Sequence, residues 1–198
     1  AATEPRVTLP GIGTLAGVRV GSVDRFLGIP FGEPPTGRRR WAPPVAAKRW
    51  AGIRDATKFG PNCYQTLDSG NPNPLATVSE DCLYLNVYRP AIETPKLAPV
   101  LFWIFGGGFT MGGGNETRLI GAFQVELLRP EPYLIVTSNY RLGIFGYLGS
   151  EELRDADGTA GNWGTLDQRL ALRWTKRNIR AFGGDPDRIM LAGQSAGA

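Results

Sequence analysis

The chain has 198 residues, 42% of them hydrophobic and 10% aromatic, which is enough apolar material for one domain with its own core and too much for a disordered chain. Its net charge of +4 is mild and scattered; the one dense basic run, Arg38-Arg39-Arg40, has prolines on both sides and no recognised nucleic-acid module beside it. It reads as a solvated loop or a set of local ion pairs, so no nucleic-acid partner is expected. No apolar stretch approaches the roughly 20 residues that span a bilayer, so no transmembrane segment is expected. No signal-peptide pattern is visible at Ala1-Ala2-Thr3-Glu4-Pro5, and any leader is expected to have been removed already.

Arg6–Leu9, Gly13–Val20 and Val23–Ile29 are short β-branched runs separated by glycine turns, and they predict an antiparallel hairpin or meander. Residues 30–80 are rich in Pro, Gly and Asn and predict a long surface excursion with a turn at Pro72-Asn73-Pro74. Alternation predicts a strand over Leu83–Tyr88. The continuous apolar run Val100–Phe105 suits a strand buried on both faces of a parallel sheet. Residues 117–129 read as a helix ended by Pro130 and Pro132, and Tyr133–Asn139 as a further strand. A second helix is expected from Leu166 to Ala181, with Leu166, Leu170 and Trp174 on one face and Gly183-Gly184 at its end. A last short strand covers Arg188–Ala192. This order is an α/β pattern with parallel crossovers, and it contains no internal repeat or linker.

Two segments carry chemistry. Gly193-Gln194-Ser195-Ala196-Gly197 fits the G-x-S-x-G turn that lifts a serine hydroxyl out of the backbone between a strand and a helix. The apolar run just before it supplies the strand, and small residues flank the serine where a tight turn crowds any Cβ. Phe105-Gly106-Gly107-Gly108-Phe109 follows directly on the other buried run, and its backbone N–H groups are free to converge on one point as an oxyanion hole. A flexible turn is the plainer alternative, supported by a second tract at Gly112-Gly113-Gly114, and a phosphate cradle lacks its lysine and hydroxyl; taken with Ser195 downstream at the end of another strand, the oxyanion hole is the expected reading. The chain contains no histidine. A serine nucleophile needs a general base, so the chain as it stands does not carry a whole active site. Cys63 and Cys82 are its two cysteines. Read alone they are either two free buried thiols or a bridge worth roughly 3 kcal/mol. Together with the sequon Asn115-Glu116-Thr117, a glycosylation candidate, they point to an oxidising compartment.

At the level of whole motifs the chain resembles the type-B carboxylesterase/cholinesterase family. Glu80-Asp81-Cys82-Leu83-Tyr84-Leu85-Asn86-Val87-Tyr88-Arg89-Pro90 looks like one family signature, and Phe182-Gly183-Gly184-Asp185-Pro186 through Gly197 looks like the serine signature. Between them Gly106–Phe109, Asn139-Tyr140-Arg141-Leu142-Gly143 and Leu166-Asp167-Gln168-Arg169 fall in the family's order. The resemblance implies an α/β-hydrolase fold, of which residues 1–198 form the N-terminal part of one domain, half of a mixed, mostly parallel sheet with flanking helices. It implies carboxylic-ester hydrolysis through an acyl-enzyme on Ser195, with Gly107, Gly108 and Ala196 as oxyanion donors. Gly106, Phe109 and Gln194 would adjoin the substrate, a small or lipid-like ester. It also implies a Cys63–Cys82 disulfide. Neither a cofactor nor a metal is expected.

The family's acidic residue and histidine lie C-terminal to the serine, so a further polypeptide or a continuation should supply them. A sheet ending on the elbow strand would leave a flat apolar edge, and residues 1–198 are not expected to fold alone. Two departures from the family bear on specificity. Gln194 stands where glutamate is usual, and the Cys63–Cys82 loop holds no tryptophan, which makes a choline ester a poor substrate. The expected product is a secreted or lumenal esterase; the competing expectation is a non-catalytic adhesion or binding domain of the same fold.

Overall fold

The computed structural model describes residues 4–65, 77–92, 96–116, 131–154 and 158–198. The helix expected over 117–129 and the turn at Pro72–Pro74 lie outside the described residues.

The glycine-punctuated N-terminal region does not form one meander. Strands β1 (Arg6–Leu9) and β2 (Gly13–Ala16) pair antiparallel and, with β5 (Ile53–Asp55) parallel to β2, make a separate three-stranded sheet. Strands β3 (Val18–Val20) and β4 (Val23–Pro30) join the main sheet instead. The predicted run Gly13–Val20 breaks at Gly17 for a steric reason. A Cβ there would lie 2.5 Å from the Arg25 carbonyl oxygen and 2.8 Å from the Phe26 ring. The chain crosses so closely at this point that only glycine passes.

Among its described residues, the excursion from 30 to 80 carries little regular structure beyond β5, a 3-10 turn at Gly37–Arg39 and the two-residue pair β6 (Asn62–Cys63) and β7 (Val78–Ser79). Its basic run is spent locally: Arg40 grips Glu80 through two hydrogen bonds of 2.6 and 2.5 Å, and Arg39 lies 3.6 Å from Glu33.

Among the described residues the main sheet has six strands, in the order β11-β9-β10-β8-β4-β3. Strands β3, β4, β8 (Tyr84–Pro90) and β10 (Leu134–Ser138) pair antiparallel, while β9 (Ala98–Ile104) lies parallel between β10 and β11 (Gly184–Gly193). The strand buried on both faces is β10, not β9: every residue from Leu134 to Ser138 is buried, whereas Leu101 and Trp103 of β9 are only half-covered. One sheet face carries the large core, with Val100, Phe102 and Ile104 among Ala171, Trp174, Ile179 and Phe182. The other face carries a smaller cluster of Val23, Leu27, Tyr88 and Ile135, against which Leu101 packs.

Helix α1 (Gly143–Tyr147) is a single short turn that the sequence pattern does not announce; helix α2 spans Trp163–Asn178 and continues as a 3-10 turn to Phe182. Gly183, with φ of +88°, then stops the helix in the left-handed conformation. The face that α2 buries keeps Trp174 from the predicted set, with Leu170 packed against the core, but is centred one step round the helix from it. Asp167, Ala171, Trp174, Thr175 and Asn178 are inside, and Leu166 and Leu170 only flank them. Three of these buried residues are polar, and each is satisfied. Asp167 meets Arg141, the Thr175 hydroxyl donates to Ala171 O (2.9 Å), and the Asn178 amide donates to Trp174 O (2.8 Å).

Candidate active site

Strands β9 and β11 run parallel and in register, with Gly193 opposite Ile104, so their C-terminal ends deliver two loops to the same place. Beyond β11 the chain turns within one residue. The Gln194 N–H donates to Ile104 O (3.3 Å), and Gly197 and Ala198 close a 3-10 turn by donating to the carbonyls of Gln194 and Ser195, each at 2.9 Å. Ser195 is exposed and has φ of +55°, a left-handed conformation that costs a non-glycine residue roughly 1–2 kcal/mol. The turn is too tight for side chains on its flanks. A Cβ on Gly193 would overlap the Gly197 carbonyl oxygen, and one on Gly197 would overlap that of Ile104.

Gly106, two residues beyond the end of β9, lies against this turn. A Cβ on it would lie 3.0 Å from Ser195 Cβ and would overlap the side-chain oxygen of Gln194. The Gln194 amide therefore folds back over Gly106. Gly107 (φ +116°), Gly108 (+61°) and Phe109 (+62°) follow as three left-handed residues, and the turn is closed by Thr110 and Met111 N–H donating to Gly107 O at 3.0 and 3.2 Å. Phe109 is 42% exposed and its ring lies 4.9 Å from that of Tyr147 on α1. Ala196 follows Ser195 within the 3-10 turn. The residues expected to form the site thus come together at one end of the parallel strands. A cavity of about 450 Å³ beside Arg19, Asp24, Arg89 and Gly183 lies at the opposite end.

The second glycine tract is pinned rather than flexible. Gly112 exchanges hydrogen bonds with the Gln65 amide. Gly114 N–H donates to Asn139 Oδ1 (2.9 Å), and Gly114 O accepts from Thr137 Oγ1 (2.7 Å) and Asn86 Nδ2 (3.1 Å). Asn139 also donates to the carbonyls of Pro61 and Cys82, each at 3.0 Å, which ties the tract to the excursion. The Tyr140 hydroxyl donates to Phe105 O at 2.8 Å while its ring stacks on Phe105 at 4.3 Å. Burial pushes the Tyr140 phenol up from its ordinary value, so it remains a donor. Next in sequence, Arg141 forms a buried pair with Asp167: its backbone N–H and Nε reach Oδ2 at 3.0 and 2.8 Å, and Nη2 reaches Oδ1 at 2.9 Å. Burial pushes the Asp167 carboxyl up, and the guanidinium and backbone N–H pull against that rise.

None of these supporting roles was read from the sequence. The signal present was Asn139-Tyr140-Arg141, a polar run at the end of a buried strand, where each buried group must find a partner.

Cys63 and Cys82 form a disulfide with Cα atoms 4.9 Å apart. It closes a loop of 19 residues in sequence separation, and replacing both cysteines by serine is expected to lower stability by about 3 kcal/mol. The urea midpoint of the complete protein checks this; an unchanged midpoint would show that the loop is equally constrained without the bridge. Asn115, the sequon residue, is only 8% exposed, so a glycan on its amide has little room and this position lends the glycosylation expectation no support.

This sheet, with a left-handed serine at the end of one parallel strand and a glycine tract at the end of its neighbour, defines an α/β-hydrolase. The family model for the carboxylesterase family matches residues 3–198, and the chain belongs to that family. It is 42% identical to the fumonisin B1 esterase of Sphingopyxis macrogoltabida over 188 residues, covering 94% of this chain and 34% of that protein. It is 45% identical to the acetylcholinesterase of Bungarus fasciatus over 186 residues, covering 90% of this chain and 30% of that protein. Among solved structures a thermophilic PNB esterase superposes with a TM-score of 0.85 at 39% identity, over 98% of this chain and 39% of that one. The chain therefore spans about a third of the length of the curated relatives it matches.

Proposed function

We propose that this chain carries the nucleophile and oxyanion hole of a carboxylic-ester hydrolase. The observation that supports this most is the strained, exposed Ser195 in contact with Gly106 across two in-register strands. The Ser195 hydroxyl attacks the ester carbonyl carbon while a base takes its proton. The N–H groups of Gly107, Gly108 and Ala196 hold the negative oxygen of the tetrahedral intermediate. The alcohol leaves with the transferred proton, and water then attacks the acyl-enzyme and releases the acid.

The base is a histidine oriented by an acidic residue, and both come from a continuation or a second polypeptide, since this chain has no histidine. That segment pairs with the side of β11 that has no strand beside it among the described residues. Met190 and Leu191, which point to opposite faces of β11, are 64% and 55% exposed, so the same segment also covers apolar surface there. The substrate is a small or lipid-like ester rather than a choline ester, because the disulfide loop offers no tryptophan to a quaternary ammonium. The disulfide fits a secreted or lumenal enzyme. Among the described residues no helix is long and apolar enough to cross a membrane.

Labelling the complete protein with a fluorophosphonate, followed by peptide mass spectrometry, tests this. Stoichiometric modification of Ser195 alone is expected. A folded protein that takes up no label would favour the non-catalytic binding domain.

A further inference from the structure

Gln65 lies far in sequence from both the serine turn and the glycine tract, yet its side-chain amide is laid against the backbone of Gly112. Nε2 donates to Gly112 O at 2.7 Å, and Gly112 N–H donates to Oε1 at 2.8 Å. Nε2 also donates to Cys63 O at 3.0 Å, and Cys63 is anchored by its disulfide. Gly112 in turn lies directly on the end of β9. A Cβ on it would be 2.5 Å from the Phe105 ring and 2.7 Å from Gly106 O. A Cβ on Gly107 would likewise overlap the carbonyl oxygen of Met111, the residue before Gly112. The segment that Gln65 grips is therefore the one that sits on Gly106 and Gly107.

We propose that Gln65 is a positioning residue for the oxyanion hole. Held by the Cys63–Cys82 bridge, its amide fixes Gly112 and Met111, and these fix the path of Gly106–Gly108 past Ser195. The proposal rests on reading Gly107 and Gly108 as oxyanion donors. Such donors act on charge that develops in the transition state, so small errors in their position cost turnover and leave substrate binding almost untouched.

The test uses the complete enzyme with Gln65→Leu, which removes all three side-chain hydrogen bonds, and Gln65→Glu, which keeps the acceptor for Gly112 N–H and sets a carboxylate against the carbonyls of Gly112 and Cys63. Rates are normalised to Ser195 sites titrated with a fluorophosphonate, so that loss of folded protein does not count. Gln65→Leu is expected to lower kcat per site by about 10- to 100-fold with KM changed by less than about twofold. The Ki of a trifluoromethyl ketone, which adds to the serine and places its oxygen in the oxyanion hole, should rise by the same factor. Gln65→Glu should fall between parent and Leu, and as the near-isosteric change it carries the test if the leucine variant does not fold. A kcat per site within about twofold of the parent, or a rise confined to KM, overturns the proposal. Absence of Ser195 labelling in the parent would overturn the hydrolase reading itself, whereas a labelled parent with unaltered Gln65 variants overturns this proposal alone.

Discussion

Ser195→Ala is expected to lower kcat for a simple ester by about 10⁴- to 10⁶-fold in the complete enzyme, the range seen when a nucleophile that acts as one unit with its base is deleted. The rate that survives would come from the oxyanion donors and substrate binding, which need no serine oxygen. The same substitution should leave stability nearly unchanged, because the introduced alanine inherits the left-handed backbone along with the turn. Ser195→Gly should lose the activity equally and gain about 1 kcal/mol of stability by relieving the strain at φ of +55°. Paired measurements of kcat and the urea midpoint separate the two effects. A serine-to-alanine variant with more than a tenth of the parent rate would refute the assignment of the nucleophile.

The second large effect concerns the pair that joins the end of β10 to α2. Arg141 and Asp167 are 3% and 0% exposed, and three hydrogen bonds of 2.8–3.0 Å connect them. Removing one partner of such a pair leaves an uncompensated buried charge and costs about 3–5 kcal/mol, whereas removing both is far less damaging. Asp167→Leu is therefore expected to destabilise by that amount, and Arg141→Met combined with Asp167→Leu by distinctly less. Chemical denaturation of the two variants and the parent decides it. If the double variant is as damaged as the single one, the contribution of Asp167 lies in its packing rather than in its charge.

The parts of the fold legible in the sequence were those where one local signal acts alone. The apolar runs Val100–Ile104 and Ile189–Ala192 both fall within strands, β9 and the longer β11, because short apolar β-branched or aromatic runs bury best in a sheet, and Ser195 stood out because the run before it and the glycines around it say the same thing. Gly17 was not legible as a break. Its role comes from Arg25 and Phe26, which approach it only once the sheet exists. The buried face of α2 was only partly legible, for a related reason: the spacing of Leu170 and Trp174 marks its apolar side but not the polar residues buried beside them. Asp167, Thr175 and Asn178 look like solvent residues until Arg141 and the helix carbonyls are in place to receive them. The Gln65 amide was the least legible, since its partner Gly112 is 47 residues away and neither residue is distinctive by itself.

The in-register pairing of Ile104 with Gly193 acts as a ruler. The serine and the glycine tract follow the ends of two neighbouring strands of one hydrogen-bonded ladder, so the distance between those strand ends is set by the inter-strand spacing of about 4.8 Å. Only the parts of the crossover that touch the tract, such as Gly112 and Tyr140, bear on that alignment; the rest can change in length or surface, and so reshape what the proposed site accepts, without moving the two strand ends apart.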